Sequence, residues 1–426
     1  MSQTQTAMPG SAFDIPGVSD QTTWFDQYED TQALSVTTSA SVQQPITGIA
    51  DFRRTDVVLE WFHHFSFTSP SWTAGTGQTL ANSAYAPYNV IGPVKLKIQN
   101  QYNSMDVESG IDWYIFELIR PYFRSGGAVS HLNGANPQGD QVGAAGDGYL
   151  NSATPQANLI VPNQWSRTAA FDLILGVPGG IWFDEYYALD VSGNYLGAAA
   201  DIFVSPQFMA GTQRLIKTAI TMNPLLGATS DIAPVQTTTN TPTTDTASTA
   251  SITTTLTIRR IGVYGTRQGP SLPAPQPWQY RRKTDRFSVS GKSQVIIQIP
   301  DDAGQVLCSY LRFFDPSASS GAGAPIQLSA ISTNPGSVIF QYGSGQTWFE
   351  GIAEEAQYRW LDQHGWLLPQ GVLAMDFAID ENQHFSNKRA MNTLNTAGIE
   401  WIVQFTNPLS STAYAVLGTE SLVYVV

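Results

Sequence analysis

In residues 57–67, VVLEWFHHFSF, the odd positions Val57, Leu59, Trp61, His63, Phe65 and Phe67 are almost all apolar or aromatic, while the even positions include Glu60, His64 and Ser66. In an extended chain successive side chains point to opposite faces, so this period of two predicts a strand with one buried face. The same pattern returns along the chain. IEWIVQF sets Ile399, Trp401, Val403 and Phe405 against Glu400 and Gln404, and VLAMDFAID sets Leu373, Met375, Phe377 and Ile379 against Ala374, Asp376 and Ala378. Further strand-like runs are YNVIGPVKLKI, IDWYIFELI, AAFDLILGV, IWFDEYYAL, RLIKTAITM, TLTIRRIGVYG, SQVIIQI, QVLCSYLRFF, SVIFQYGSG and AYAVLGTESLVYVV. Turns rich in Gly and Pro separate them, and no βαβ rhythm appears, so a parallel α/β fold is not expected. IAEEAQYRWLDQHGW is the best helix candidate: Ile352, Ala356, Tyr358 or Arg359, and Trp360 fall at roughly helical spacing, with acids early and Gly365 near its end.

Composition narrows the class. Of 426 residues only 13% are charged, against roughly 25% in an average soluble domain. The 42% hydrophobic and 11% aromatic content excludes a disordered chain. No run reaches the ~18 apolar residues of a spanning helix, and 36 Gly with 25 Pro exclude a long coiled coil. What remains is an all-β protein, poor in charge, with much of its surface buried against neighbours. Acids outnumber bases 34 to 21, which argues against specific nucleic-acid binding. The single cysteine, Cys308, excludes an internal disulfide; its apolar run predicts an inert buried thiol. The N-terminus lacks the basic start and apolar stretch of a signal peptide, so synthesis in a cytoplasm without signal-led secretion is expected.

The expected organisation is a polar N-terminal arm over residues 1–49, a first β unit over 50–268, a stiff Pro-rich connector over 269–280 and a second β unit over 281–426. The first unit carries long insertions near 125–165 and 228–255. Within the second of these, eleven of the nineteen residues 237–255 are Thr, which reads as an exposed extended loop or turret rather than core. Each unit has seven or eight short strands, a pattern of sandwiches or jelly rolls.

Motifs for chemistry are sparse. The adjacent His63 and His64 face opposite sides of a strand and cannot grip one ion, and His131, His364 and His384 form no metal-ligand spacing with them. No metal or cofactor is therefore expected. Gly343–Ser344–Gly345 lacks a nucleophile elbow, and GTGQTL lacks the glycines and lysine of a nucleotide loop. Asp184, Glu185 and Glu350 lie among aromatics, as carboxylates of a glycosidase do, but Asp184 and Glu185 alternate across a strand and cannot be its pair. Eight of the bases cluster around the connector: Arg259, Arg260, Arg267, Arg281, Arg282, Lys283, Arg286 and Lys292, opposed only by Asp285. They read either as a solvated connector pairing with distant acids or as a basic strip for a neighbouring subunit before nucleic acid or anionic lipid headgroups.

Two stretches carry a family pattern. Residues 177–227, VPGGIWFDEYYALDVSGNYLGAAADIFVSPQFMAGTQRLIKTAITMNPLLG, run from an aromatic–Asp strand through SPQFMAGTQR to an apolar strand ending at Asn-Pro. Around 369–405, LPQGVLAMDFAIDENQHFSNKRAMNTLNTAGIEWIVQF passes from a Pro-Gly-led strand ending in Asp through a polar loop to another amphipathic strand. These resemble the double jelly-roll major capsid proteins of tailless, membrane-containing icosahedral bacteriophages of the tectivirus type. The resemblance implies two consecutive eight-stranded jelly rolls with long inter-strand loops and a few short helices, and pseudo-hexagonal homotrimeric capsomers of a virion. It also implies towers from the long loops, contacts to neighbouring capsomers and minor capsid or vertex proteins, and an N-terminal arm near an internal membrane. It assigns no catalytic residue and no cofactor. Two other readings stay open: a carbohydrate-active or carbohydrate-binding β-sandwich, and a phage spike or receptor-binding protein.

Overall fold

A computed structural model describes residues 30–39, 44–51, 57–67, 71–73, 78–82, 85, 88–98, 102–119, 171–178, 215–223, 226–227, 235–239, 251–266, 278–318, 324–342, 345–364, 368, 371–378, 391–393 and 398–424. The first half contributes β1 (Asp30–Ser39), β2 (Gln44–Asp51), β3 (Val57–Phe67), β4 (Ser71–Thr73), β5 (Gln78–Asn82), β6 (Ile91–Ile98) and β7 (Tyr102–Val107). After helix α1 (Gly110–Ile119) come β8 (Phe171–Pro178), β9 (Leu215–Met222), β10 (Leu226–Gly227), β11 (Val235–Thr239) and β12 (Ser251–Thr266). The second half contributes β13 (Trp278–Ser288), β14 (Gln294–Gln298), β15 (Gln305–Asp315), β16 (Ala324–Pro325), β17 (Val338–Tyr342) and β18 (Gln346–Gly351). Helix α2 (Ala353–His364) follows, then β19 (Val372–Asp376), β20 (Met391–Asn392), β21 (Glu400–Gln404) and β22 (Tyr414–Tyr424). The chain is thus mostly β, with few helices, as its alternation predicts. Among the described residues, no helix is long and apolar enough to cross a membrane.

Among the described residues the strands build four sheets. One has the order β1-β12-β3-β8, with β4 also on β12; a small one has the order β10-β11-β5; a four-stranded one has the order β14-β21-β17-β18. The largest runs β16-β15-β22-β13-β7-β6-β9-β2, with β19 and β20 also on β15. It crosses from one half of the chain to the other where β13 pairs β7 in parallel, Arg282 opposite Met105 and Lys283 opposite Asp106. The two units expected on either side of the connector therefore share a sheet, and β13 begins at Trp278, inside the stretch read as connector.

The second half holds a core of its own. β14 buries Val295 and Ile297 and turns Gln294, Ile296 and Gln298 outward. β21 buries Trp401 and Val403 between Glu400, Ile402 and Gln404, as its period of two predicts. Phe340 meets Trp401 edge-on, ring centroids 4.9 Å apart, and Phe377 at 5.1 Å. In β19 the alternation does not separate faces: all five residues are buried, because β15 lies alongside and α2 packs over it.

Several readings change. IDWYIFELI, grouped with the strand-like runs, is helix α1. Ile111, Trp113, Tyr114, Ile115, Phe116 and Ile119 are all buried. A segment buried on every side shows no clean period, and short, mostly apolar runs do not separate strand from helix. The local signal was Ser109 three residues before Asp112, a helix-start pattern. Within the arm, β1 pairs along β12 and β2 along β9. The Thr-rich tract enters β11 at one end and β12 at the other. The 125–165 insertion, Asp184, Glu185, Arg267, His131 and His384 lie outside the described residues.

Candidate functional site at the junction of the two halves

Chemistry concentrates where α1 of the first half meets β13, β15 and β22 of the second. Asp112 sits in the first turn of α1 and is fully buried. A lone buried carboxylate is costly unless paired and hydrogen-bonded. Here Arg312 of β15 grips both its oxygens, Nε to Oδ1 at 2.6 Å and Nη2 to Oδ2 at 2.8 Å. Tyr310, two residues earlier on the same strand face, donates its hydroxyl to Oδ1 at 3.0 Å, and Ser109 donates to Oδ2 at 2.8 Å. Burial works against the charge on Arg312, but the Asp112 carboxylate outweighs it and holds the guanidinium well above its ordinary pKa. Burial first, then the Asp112 charge, push the Tyr310 hydroxyl well above the usual phenol range, so it stays a donor.

Tyr310 can lie in this position because its cross-strand neighbour is Gly418. A Cβ on Gly418 would collide with the Tyr310 ring, so the glycine gives the ring its seat.

A second arginine enters beside the first. Arg282 of β13 donates to Glu117 Oε1 at 3.1 Å and to the Phe116 carbonyl at 3.3 Å. Its Nε lies 3.7 Å from Oε1 of Glu420 on β22. All three charged groups are buried. Glu108, just before α1, donates its backbone N–H to Thr284 Oγ1 at 2.7 Å. Partial burial, and after it the neighbouring Asp112, raise its carboxyl above the ordinary range, against the pull of Arg286 and Arg312.

The basic strip expected around the connector does not form one surface. Arg281 is buried and donates to the Asp302 carbonyl at 2.8 Å. Arg282 is buried in the junction. Lys283 is half-buried, 3.1 Å from Asp285. Arg286 is exposed and lies over the Tyr414 ring at 3.6 Å, and Lys292 is exposed. Arg259 and Arg260 lie on β12 opposite His64 and His63. Arg281 and Arg282 follow the other reading of the cluster, pairing with acids elsewhere in the chain. β13 is central in its sheet, and the acids that answer them, Asp302, Glu117 and Glu420, are remote from the 259–292 cluster or sit on other elements. A local search for opposing charge therefore missed them.

The remaining candidates stay apart. His63 is buried against Trp113, ring centroids 5.5 Å apart, and Phe65 at 6.2 Å. Cys308 is a buried free thiol. Glu350 is exposed on β18. His364 stacks on Trp360 and lies 3.3 Å from Asp376, all buried. Sequence reasoning gave Asp112, Glu117, Arg312 and Glu420 no role. Among the described residues no group of three or more His, Cys, Asp or Glu is placed to hold a metal. The arrangement has the character of a structural lock: Asp112, Glu117 and Glu420 are each answered by a buried arginine of this chain.

No protein-family model matches the chain, and no curated protein matches it. Solved structures similar to it across nearly its whole length include those of viral major capsid proteins. One is the STIV MCP, with 12% identity, a TM-score of 0.47, and coverage of 94% of this chain and 97% of that one. Another is the major capsid protein P2 from Bacteriophage PM2, with 9% identity, a TM-score of 0.38, and coverage of 93% and 98%. A third is the mavirus major capsid protein, with 9% identity, a TM-score of 0.36, and coverage of 99% and 90%.

Proposed function

We propose that this chain is a major capsid protein, a structural and non-enzymatic subunit built as a double jelly roll. In this reading it assembles into pseudo-hexagonal homotrimers that tile an icosahedral virion around an internal membrane. The observation that carries it is the junction. A shell subunit has to transmit load between neighbours without hinging, and two β-rich halves joined by a shared sheet and a buried ion-pair network form one stiff block. The motifs at 177–227 and 369–405 support the same reading, as does a chain in which only 13% of residues are charged. Obligate interfaces resemble a core cut in half, and surfaces that meet other copies need little charge. Arg286 and Lys292 are the exposed members of the basic cluster left to face a neighbouring subunit. Arg259 and Arg260 on β12 stay in the same proposal.

Light scattering on the purified full chain tests the trimer, and negative-stain imaging of particles from the native source tests the shell. Trimers in mild buffer and hundreds of copies per particle are expected. A strictly monomeric chain, or tens of copies per particle as for a spike, would overturn the reading.

A further inference from the structure

Strand β14 ends the four-stranded sheet of the second half, with β21 on one side and, among the described residues, no strand on the other. The register says which backbone groups this leaves open. Phe405 donates its N–H to the Ser293 carbonyl at 2.7 Å, and Ile299 donates its own to the Ile399 carbonyl at 2.8 Å. Bonded positions alternate in an antiparallel pair. Val295 and Ile297 therefore bond β21, while Gln294, Ile296 and Gln298 turn their N–H and C=O to the open edge. Gln404, opposite Gln294, agrees: it gives its N–H to Ser337, away from β14. The side chains of the same three residues are exposed, Ile296 by 52%.

Proteins blunt such edges with charge, proline or a bulge. The opposite edge of this sheet is blunted: β18 carries Glu350, and its pairing with β17 shifts register between Phe340 and Gln341. β14 pairs β21 without a shift, and residues 293–299, SQVIIQI, hold no charge and no Pro. The edge is closed only at its ends. Lys292 gives its N–H to the Val289 carbonyl at 3.2 Å and accepts from Leu409 at 3.0 Å, and Pro300 has no N–H. The open segment, Gln294–Gln298, reads alike in both directions: exposed Gln, buried apolar, exposed Ile, buried apolar, exposed Gln.

Such a segment matches a copy of itself. In an antiparallel pairing about a two-fold axis at Ile296, that residue faces Ile296 of the partner subunit, and Gln294 faces Gln298 of the partner subunit. Each facing pair exchanges both its hydrogen bonds. The apolar row Ile339, Ile402, Ile296 runs on across the axis into the same row of the other copy. Lys292, exposed, comes opposite Pro300 of the partner subunit, next to Asp301 of the partner subunit, and the axis repeats this contact at the other end. Asp301 is exposed, so each end of the pairing sets a cation beside an anion.

We propose that the open edge of β14 pairs with the same edge of a second copy, antiparallel and centred on Ile296, joining two four-stranded sheets into one. It rests on the reading of the chain as a self-assembling subunit and names the edge used. A two-fold contact cannot close a three-fold ring, so the edge links building units rather than forming the trimer.

Disulfide trapping in the full chain tests the register, since the one native cysteine, Cys308, is buried. Facing residues of such a pair lie about 5.5 Å apart at Cα, within disulfide reach. Under mild oxidation Ile296→Cys is expected to link two chains. Gln294→Cys alone is not, whereas Gln294→Cys mixed with Gln298→Cys is. Charge on the axis gives a second readout. Ile296→Lys and Ile296→Glu should each keep the melting temperature and the trimer, and raise the concentration needed for higher assembly by about tenfold or more, because like charges then face each other. Mixing the two variants should restore assembly. No link in Ile296→Cys, an equal link in Gln294→Cys alone, or no restoration on mixing overturns the pairing; trimers and particles from the unaltered chain then leave the capsid reading standing. A linked Ile296→Cys pair, with neither trimers nor particles from the unaltered chain, sustains the pairing and overturns the capsid reading. An unaltered chain monomeric at every concentration overturns both.

Discussion

Helices α1 and α2 solve opposite problems. α2 carries its acids outward: Glu354 and Glu355 are exposed at its N-terminus, where the helix dipole favours them. Glu355 reaches back to accept the N–H of Ile352 at 3.0 Å, the return half of a capping box. Its buried side, Ala353, Ala356, Gln357, Trp360 and His364, faces β19. α1 is buried on every side and carries two acids inward, Asp112 and Glu117. Each is answered by an arginine from the other half of the chain. α2 is made by local rules, whereas α1 is completed only by partners far along the chain, with 200 positions separating Arg312 from Asp112.

The largest effect is expected from breaking that dependence. Arg312→Met strands Asp112 in the interior and should cost about 3–5 kcal/mol, read as a fall in the denaturant midpoint. Asp112→Leu combined with Arg312→Met should recover much of it; a double variant no more stable than the single would show that the pair does more than compensate its own burial. Next, Gly418→Ala forces the Tyr310 ring off its seat and should cost about 1–3 kcal/mol. Tyr310→Phe in the same background should then cost less than alone, since the hydroxyl has already moved; additive losses would mean that the ring does not depend on the glycine. Tyr310→Phe by itself removes one of several hydrogen bonds to Asp112 and should cost about 1 kcal/mol. In α2, Glu355→Ala should cost under about 1 kcal/mol. A larger loss would mean α2 is as dependent on its surroundings as α1.

The smallest effect concerns pH. The Glu108 carboxyl is raised in the folded state, so the fold holds its proton more tightly than the unfolded chain does. Its contribution is fully present below the ordinary glutamate value of about 4.3 and fades as pH rises through the folded value. Glu108→Gln should flatten the stability profile over that window. An unchanged slope would assign it to another group.

Legibility followed the same division. β21 and β14 were readable because one face of each is buried and the other is wet, so burial prints a period of two on the residues. β19 defeated the alternation because both its faces are covered, and α1 because it is buried all round. The outcome for α2 was mixed: its span was readable, but Tyr358, offered as part of its apolar side, is 63% exposed, and Gln357 is buried instead, donating to the Val372 carbonyl at 2.6 Å. The arginine cluster was visible as a cluster, and of its two readings the pairing with acids elsewhere in the chain holds at Arg281 and Arg282, though both are buried rather than solvated. Unanswered charge in a window of sequence looks like surface, and nothing in the window shows that a strand from the other half will lie alongside.

By itself the sequence determined the class: short strands with one apolar side, turns of Gly and Pro, few charges and an amphipathic helix late in the chain. These follow from local preferences, which a chain carries wherever it sits. Only the tertiary structure decided that the two halves share a sheet through β7 and β13, and that Arg282 and Arg312 are interior residues. The isoleucines of three strands fall into one row for the same reason. Each of these depends on which strand lies next to which, and strand neighbourhood is set by the packing of the whole core rather than by any one segment.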